Sequence, residues 1–235
     1  MKQIAIISGK GGTGKTTITA ALSSIFKDTV FADCDVDAPD LHLLLKPEIK
    51  KTSEFPGGKF AHIDSDKCSR CGLCLSKCRY SAIDFLNNNF HVDSFLCEGC
   101  GLCSRLCPVD AIKMIQASAG EWYVSRSRFG DMVHAKLYPG QENSGKLITM
   151  VRHQAKLLAE ESGGKYILID GPPGTGCPVI STITGTDHVI LITEPTVSGI
   201  ADFKRTWELA EHFKIPVSCI INKSVSYTHL TLPTK

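Results

Sequence analysis

Residues 9–16 have the types and spacing of a phosphate-binding loop. The run Gly9-Lys10-Gly11-Gly12-Thr13-Gly14-Lys15-Thr16 fits the pattern G-x-x-x-x-G-K-[ST]. Glycines permit the positive φ angles that turn successive backbone N–H groups toward a phosphate. Lys15 is expected to neutralise the β- and γ-phosphates, and the Thr16 hydroxyl to bind Mg²⁺. The sequence therefore predicts a site for a nucleoside triphosphate, with further contacts from Gly11, Gly12, Thr13, Gly14 and Thr17.

A second set of residues with metal chemistry consists of cysteines. Two runs have the form C-x₂-C-x₂-C-x₃-C. In this bacterial ferredoxin pattern, three thiolates of each run bind one [4Fe–4S] cluster and the fourth binds the other. The first predicted cluster is ligated by Cys68, Cys71, Cys74 and Cys107, and the second by Cys97, Cys100, Cys103 and Cys78.

Zinc is the competing interpretation of these cysteines. Zinc sites favour separated C-x₂-C pairs, whereas here each run holds four cysteines. Disulfides are a weaker alternative, because a nucleotide-binding chain is expected in a reducing compartment. The two runs differ at one place, since Arg79 follows Cys78 where Pro108 follows Cys107. This difference changes the surroundings of one cluster and removes no ligand.

The two runs belong to an internal repeat. Residues 68–83 recur as residues 97–112, so each matched pair is 97 − 68 = 29 positions apart. The repeat predicts a small module of two similar halves, with a turn near residues 85–90.

The segments around the phosphate loop predict a parallel α/β sheet. Residues 2–8 form a short apolar β-prone segment, and apolar residues at helical spacing follow the loop. Asp33 and Asp35 follow a second predicted strand, and Asp170 ends a third. Acidic residues at the carboxyl ends of parallel strands lie where open sheets bind their ligands.

Several other segments carry local predictions. Residues 53–58 predict a turn, and residues 121–138 predict a hairpin that returns to the sheet. A helix after residue 193 is expected to be capped by Ser198 and to bury a stripe that includes Ile200, Phe203 and Trp207.

Lys10 is a second lysine inside the loop, and the run K-G-G-T-G-K-T-T resembles the deviant phosphate loop of the MinD/ParA/nitrogenase-iron-protein ATPases. This resemblance implies an ATPase that binds ATP with Mg²⁺. It also implies a nucleotide-dependent homodimer in which Lys10 reaches the partner's phosphates. By the same resemblance, Asp35 positions or activates the attacking water and Asp33 supports the Mg²⁺ shell.

The segment from Asp170 to Gly176 resembles switch II of that family. The resemblance implies that Asp170 holds the Mg²⁺ shell, that the Gly174 N–H points toward the γ-phosphate, and that Asn222 meets the adenine edge. Cys177 corresponds to a position that ligates a bridging cluster in the nitrogenase iron protein. Two interpretations stay open for it, a bridging cluster and a small thiol packed beside switch II.

The resemblance extends over the whole readable chain, to MinD-superfamily ATPases with an inserted ferredoxin domain. It implies an α/β fold: a P-loop NTPase parallel sheet flanked by helices, interrupted by a small α+β ferredoxin-like domain. The ATPase domain is expected in two segments, residues 1–52 and residues 119–225, with the insert between them at residues 53–118. Residues 226–235 resemble a non-native tail.

Composition narrows the class of protein. The net charge of +2 is too small to argue for attraction to nucleic acid or membranes. No run of eighteen apolar residues is present, so a cytoplasmic protein is expected.

The sequence favours an ATP-driven electron-transfer protein whose two clusters pass electrons to an unknown acceptor. The alternative is an iron–sulfur cluster carrier of the Mrp type, in which delivery of a cluster to an apo-acceptor is the output. A MinD-like positioning protein is a third hypothesis, and the cysteine module argues against it.

Overall fold

The computed structural model describes residues 1–141 and 143–224, which fall into two compact units. The described residues of the first unit are 1–53, 121–137 and 143–224, and those of the second are 54–120 and 138–141. The predicted non-native tail, residues 226–235, lies outside the described residues.

The helices and strands of the described chain follow one another in this order: β1 (Lys2–Ser8), α1 (Lys15–Leu22), β2 (Thr29–Asp33), α2 (Leu41–Leu45), β3 (Glu48–Ile63), α3 (Leu73–Lys77), β4 (Ile83–Leu86), β5 (Asn89–Val92), α4 (Leu102–Leu106), β6 (Ile112–Ser127), β7 (Gly130–Leu137), α5 (Ser144–Ser162), β8 (Tyr166–Pro173), α6 (Cys177–Ile183), β9 (His188–Thr193), α7 (Val197–His212) and β10 (Val217–Ile221).

Parallel strands form the centre of the first unit. The sheet has the order β10-β9-β1-β8-β2-β7-β6-β3, and neighbours from β10 to β7 pair in parallel. Asp170 of β8 lies opposite Ile6 of β1 and Asp33 of β2. The phosphate loop and both acidic segments therefore begin at neighbouring strand ends, at the edge where open sheets bind ligands.

A buried apolar cluster holds these strands in register. Phe31, Leu168 and Met132 pack in it with residues of β1, α2 and β9. Each such side chain contributes about 1.5–3 kcal/mol when it is fully removed from water. The apolar strand patterns seen in the sequence thus fix the ends of the strands that carry the acidic residues.

The long strands β3 and β6 correct the prediction of a turn at residues 53–58. Strand β3 continues through this segment, and Gly57 serves a close approach to the neighbouring strand instead of a chain reversal. A Cβ atom at Gly57 would meet Ala119 of β6, and the Gln116 amide donates to the Gly57 and Gly58 carbonyls.

Helix α7 buries small residues instead of its aromatic stripe. Its N-cap is Thr196, whose hydroxyl accepts from the Gly199 N–H at 3.0 Å, so the prediction of a Ser198 cap is wrong. Ile200 is 53% exposed and Trp207 37%, whereas Gly199, Thr206 and Ala210 are buried. A Cβ at Gly199 would meet the Glu194 carbonyl, so the small face of the helix lies against the strand end.

The second unit consists of two similar halves. Helices α3 and α4 follow Gly72 (φ 73°) and Gly101 (φ 72°), which are 29 positions apart in the repeat. Strands β4 and β5 form an antiparallel hairpin. A small core of Ala61, Ile83, Phe90 and Ile112 packs against the cysteines.

Acid should destabilise the first unit through His134. This side chain is buried, shares one hydrogen bond with the Ser125 hydroxyl (3.1 Å), and packs beside the His42 ring. Burial, and then the proximity of His42, lowers the pKa of His134 to about 4. The unfolded chain therefore binds this proton first as the pH falls from about 6.5 toward 4, which favours unfolding.

We expect the free energy of unfolding to fall by about 2 kcal/mol more in the wild-type protein than in His134→Gln between about pH 7.5 and pH 5. Urea unfolding followed by tryptophan fluorescence measures it. An identical pH slope in the two proteins would show that His134 does not carry this effect.

Candidate functional site

The phosphate loop lines an open cleft in the first unit. Gly12 (φ 76°) and Gly14 (φ 94°) have left-handed backbone conformations, as the loop pattern requires. The cleft has a volume of about 650 Å³, within the range of small-molecule sites. Its lining includes seven of the predicted nucleotide-site residues: Gly11, Gly12, Gly14, Lys15, Thr16, Thr17 and Asp35.

Lys15 and Asp35 meet at this cleft. The Lys15 side chain is almost buried, with 6% of its surface exposed, and it lines the cleft. Burial raises the pKa of Asp35, and the charge of Lys15 opposes that shift. The arrangement supplies a positive charge for phosphate and a carboxyl group that can orient a water molecule.

Two buried carboxyl groups lie at the neighbouring strand ends. Asp33 accepts hydrogen bonds from the backbone N–H groups of Asp35 (3.2 Å) and Leu41 (3.1 Å), so it shapes the segment that carries Asp35. Asp170 accepts from the Thr19 hydroxyl at 2.9 Å. Burial raises the pKa of Asp170 to about 6; burial and the charge of Asp170 raise that of Asp33.

Asp170 has an oxygen that fits a magnesium shell. Its Oδ2 atom is buried and accepts no hydrogen bond of ordinary geometry from any residue that the structure describes, although the nearby Thr16 hydroxyl opposes the rise that burial causes in the pKa of this carboxyl group. Such an atom costs free energy unless a cation or donor compensates it. Mg²⁺ prefers oxygen ligands and keeps several waters, so Asp170 and the Thr16 hydroxyl would hold the hydrated ion, with Asp33 behind them.

Lys10 is held within its own chain by residues that sequence reasoning missed. Its ammonium group forms an ion pair with Glu194 and lies 3.4 Å from the Ser198 hydroxyl. Glu194 is 5% exposed, and Lys10 lowers its pKa. Lys223 lies 3.4 Å from the same carboxylate and donates to the Gly12 carbonyl at 2.6 Å. No local pattern predicts Glu194, because 184 positions separate it from Lys10 (194 − 10).

Two residues predicted to contact the nucleotide form hydrogen bonds to the phosphate loop and to β1. The Asn222 amide donates to the Thr13 carbonyl at 2.8 Å, and the Gly174 N–H donates to the Ser8 carbonyl at 2.9 Å. The roles of Asn222 at adenine and of Gly174 at the γ-phosphate stay predictions. Each requires the group to exchange the bond seen here for one to the nucleotide.

One cavity of the second unit is lined by the four thiols of the first predicted cluster. These are Cys68, Cys71, Cys74 and Cys107. The rest of its lining is uncharged, with Leu73, Phe90, Val109 and Ile112 as apolar members. Burial raises the pKa of the Cys74 thiol, so a bound metal group is needed to hold it as thiolate.

A second cavity is lined by the four thiols of the other predicted cluster. These are Cys78, Cys97, Cys100 and Cys103. Lys77, Arg79 and Glu98 give this lining charges that the first cavity lacks. Burial raises the pKa of the Cys103 thiol. Each cavity thus takes three thiols from one run and one from the other.

Backbone hydrogen bonds explain how the two halves exchange their fourth cysteine. The Asp64 N–H, before the first run, donates to the Ala111 carbonyl at 2.8 Å, and the Asp93 N–H, before the second run, donates to Ala82 at 2.9 Å. Each half therefore begins where the other ends. Among the described residues, no group of three ligand side chains is close enough to share a single metal ion. In a four-iron cluster, each thiolate binds its own iron.

The remaining cysteines lie elsewhere. Cys34 is fully buried beside Asp33, and burial raises the pKa of its thiol. Cys177 is exposed at the start of α6, so the interpretation as a small packed thiol is wrong. Cys219 is exposed on β10.

Comparisons with known proteins give matches to the iron–sulfur segment and to most of the chain. The model of the 4Fe–4S dicluster domain family matches residues 61–114. An uncharacterized protein of Methanocaldococcus jannaschii is 39% identical over 94% of this chain and 78% of its own length. The iron–sulfur cluster carrier protein of the same organism is 24% identical over 93% of this chain and 58% of its own length. The septum site-determining protein MinD from Pyrococcus horikoshii OT3, solved with Mg-ADP, superposes with a TM-score of 0.52 at 18% identity, covering 95% of this chain and 70% of that one.

The chain belongs to the same family as the 39% identical M. jannaschii protein, has the fold of the MinD-type P-loop ATPases, and carries an inserted 4Fe–4S dicluster domain. The expected fold class is thereby confirmed: a mainly parallel sheet flanked by helices, with the iron–sulfur domain inserted. Among the described residues, no helix has the length and apolar character needed to cross a membrane.

Proposed function

We propose that this protein binds and hydrolyses ATP and that the nucleotide gates electron transfer through two [4Fe–4S] clusters to an acceptor protein. The observation that carries the proposal is the pair of cavities, each lined by four cysteines drawn from both runs. A closed set of four thiols per cavity suits clusters that stay bound through repeated redox cycles.

The proposed hydrolysis uses groups of the cleft. Lys15 and the backbone N–H groups of the loop bind the β- and γ-phosphates, and Asp35 orients the attacking water and accepts its proton. The water oxygen bonds to the γ-phosphorus while the bond from that phosphorus to the bridging oxygen of ADP breaks. Mg²⁺, held through Thr16 and Asp170, supplies charge neutralisation at the phosphates.

A hydrogen bond suggests how the nucleotide could influence the iron–sulfur domain. The Leu137 N–H, at the end of β7, donates to the carbonyl of Val36 at 2.9 Å. Val36 directly follows Asp35, the residue expected to position the attacking water. The next residue along the chain, Tyr138, belongs to the second unit and donates to Ala119 there at 2.8 Å. Movement of the Asp35 segment would therefore be passed along a short covalent path.

We also propose that the active form is a nucleotide-dependent homodimer. In that form Lys10 would leave Glu194 and reach the partner's phosphates, as its family resemblance implies. Asn222 at the adenine edge and Gly174 at the γ-phosphate belong to the same closed state. The pairing of Lys10 with a buried carboxylate is the contact that closure would have to replace.

A cluster carrier is the second candidate function. It is favoured by the similarity to the iron–sulfur cluster carrier protein of M. jannaschii. In a carrier, a cluster would leave the protein intact and appear in an apo-acceptor without a change in oxidation state.

The deciding experiment measures ATP turnover with the clusters oxidised and then reduced. Under the proposal, the two rates differ several-fold, and ATP changes the EPR spectrum of the reduced clusters, because nucleotide and cluster states are coupled. Equal ATP turnover rates, together with an EPR spectrum that does not change when nucleotide is added, would refute the coupling between nucleotide and clusters. Transfer of intact clusters to an apo-ferredoxin would favour the carrier.

A further inference from the structure

We infer that the segment from Lys67 to Arg79 is a docking surface for an acidic redox protein. This inference deepens the proposed electron-transfer function, because it names the chemistry of the partner and the region of the second unit that the partner contacts. The segment, called the cationic segment below, carries Lys67, Arg70, Lys77 and Arg79.

The internal repeat shows that the charges of the cationic segment are not needed for cluster binding. No acidic residue stands between Lys67 and Ile83. The second run has the same cysteine spacing without the four cations. The residues 29 positions after them are uncharged: Leu96, Gly99, Leu106 and Pro108. The second run carries instead Glu98, Arg105 and Asp110. One half is therefore strongly basic and the other slightly acidic around the same cysteine framework.

Arg70 occupies a backbone position that does not suit it. Its φ is 58°, and the equivalent residue in the second half is Gly99 with φ 63°. An L-residue in the left-handed region is strained where glycine is not. A Cβ at Gly99 would also meet the Lys59 carbonyl, so the second half requires glycine there, whereas the first half keeps a charged side chain at the strained position.

The four cations are exposed, and two of them line a cluster cavity. Lys77 and Arg79 line the cavity of Cys78 and Cys97. Arg70 directly precedes Cys71, an exposed cysteine of the other cavity. Lys67 pairs with Asp64 at 3.2 Å, but the other three make no ion pair with any described residue. The cavity lining with Lys77 and Arg79 also contains one anion, Glu98. Because it is outnumbered by these two cations, the net charge of this lining is positive.

The chemistry around these charges favours a redox protein over other anionic partners. Two exposed apolar or aromatic side chains are close to the cations in sequence: Leu75 (41% exposed) and Tyr80 (38% exposed), whose ring lies 5.7 Å from the Arg79 guanidinium. Such groups inside a polar rim are typical of protein interfaces. Electron-transfer complexes have small interfaces that opposite charges bring together quickly. An acidic protein that docks here would bring its own redox centre close to thiols of both cavities.

The test measures the rate at which a reduced, acidic 2[4Fe–4S] ferredoxin transfers electrons to the oxidised protein, by stopped-flow absorbance. In the variant Arg70→Gly/Arg79→Gln, we expect the second-order rate at low salt to fall about tenfold. At about 0.5 M salt, where screening is strong, the two proteins should react at similar rates. Arg70→Gly relieves the strained backbone, so thermal unfolding should not occur at a lower temperature.

Arg105→Gln is the matched control, because it removes one exposed positive charge from the second run. Its rate should change less than about twofold, and reduction by dithionite, which needs no docking, should be equal in all proteins. The inference is overturned if the double variant reacts like wild type at low salt, or if Arg105→Gln loses as much. It is also overturned if redox titration shows that altered cluster potentials account for the loss, or if the variant instead loses binding to a single-stranded oligonucleotide.

Failure of the proposed function gives a different result. In that case the ferredoxin would bind in a salt-dependent way by calorimetry, and more weakly to the double variant, without reducing the clusters. That result would support the docking surface and refute the electron-transfer function.

Discussion

Replacing Lys15 by alanine is expected to lower the rate of ATP hydrolysis by at least about a hundredfold and to leave the iron content unchanged. Lys15 is nearly buried in the cleft, and the other ammonium group of the loop, that of Lys10, is paired with Glu194. Loss of one group that stabilises the transition-state charge commonly costs about 10²–10³ in rate. Phosphate release gives the rate, and a colorimetric iron assay gives the metal content.

The control for this variant is Lys156→Ala, which removes the same charge from the exposed face of α5. Its ATPase rate should equal that of the wild type. If Lys15→Ala also lost its iron, the nucleotide and cluster sites would not be separable. If it kept most of its activity, the cleft would not be the hydrolytic site.

The second large effect concerns which cysteines share a cluster. The protein should contain about eight irons per chain, and Cys68→Ala should retain about four, because one [4Fe–4S] cluster is lost. Adding Cys107→Ala should remove no further iron, since both thiols line the same cavity. Adding Cys78→Ala instead should reduce iron to nearly zero, since Cys78 lines the other cavity. Iron analysis and EPR of the anaerobically reconstituted proteins measure these values.

Cys219→Ala provides the control, because Cys219 is an exposed cysteine outside both runs. It should keep about eight irons per chain. The opposite result for the two double variants, with Cys68/Cys78 keeping half of the iron and Cys68/Cys107 losing nearly all, would mean that each run binds its own cluster. Zinc in place of iron would contradict the cluster assignment altogether.

Much of the candidate site follows from short-range sequence patterns. The positive φ angles of Gly12 and Gly14 follow from the loop motif, because glycine alone adopts them without strain. The cysteine spacing likewise predicts which thiols are near one another within a run. The acids at strand ends are also readable, since parallel strands bring their carboxyl ends to one edge of the sheet.

Other features depend on segments that are distant in sequence. Residues 53–58 read as a turn but belong to a strand, because pairing with β6 outweighs the local preference of glycine and proline for turns. The predicted apolar stripe of α7 is only partly buried, because Gly199, Thr206 and Ala210 allow a closer approach to the sheet than larger side chains would. Periodicity shows that a helix has an apolar face and does not show which face the sheet accepts.

A phosphate loop, strand-end carboxylates and two four-cysteine runs can be recognised in the amino-acid sequence, because each is a local pattern whose residues need only their near neighbours. The contacts that hold those groups depend on the fold. It placed Glu194 against Lys10, engaged the Asn222 amide and the Gly174 N–H, and left Asp170 with an oxygen that no described residue contacts by a hydrogen bond of ordinary geometry. These contacts join residues far apart in the chain, and their energies depend on burial and distance, which a linear pattern does not contain.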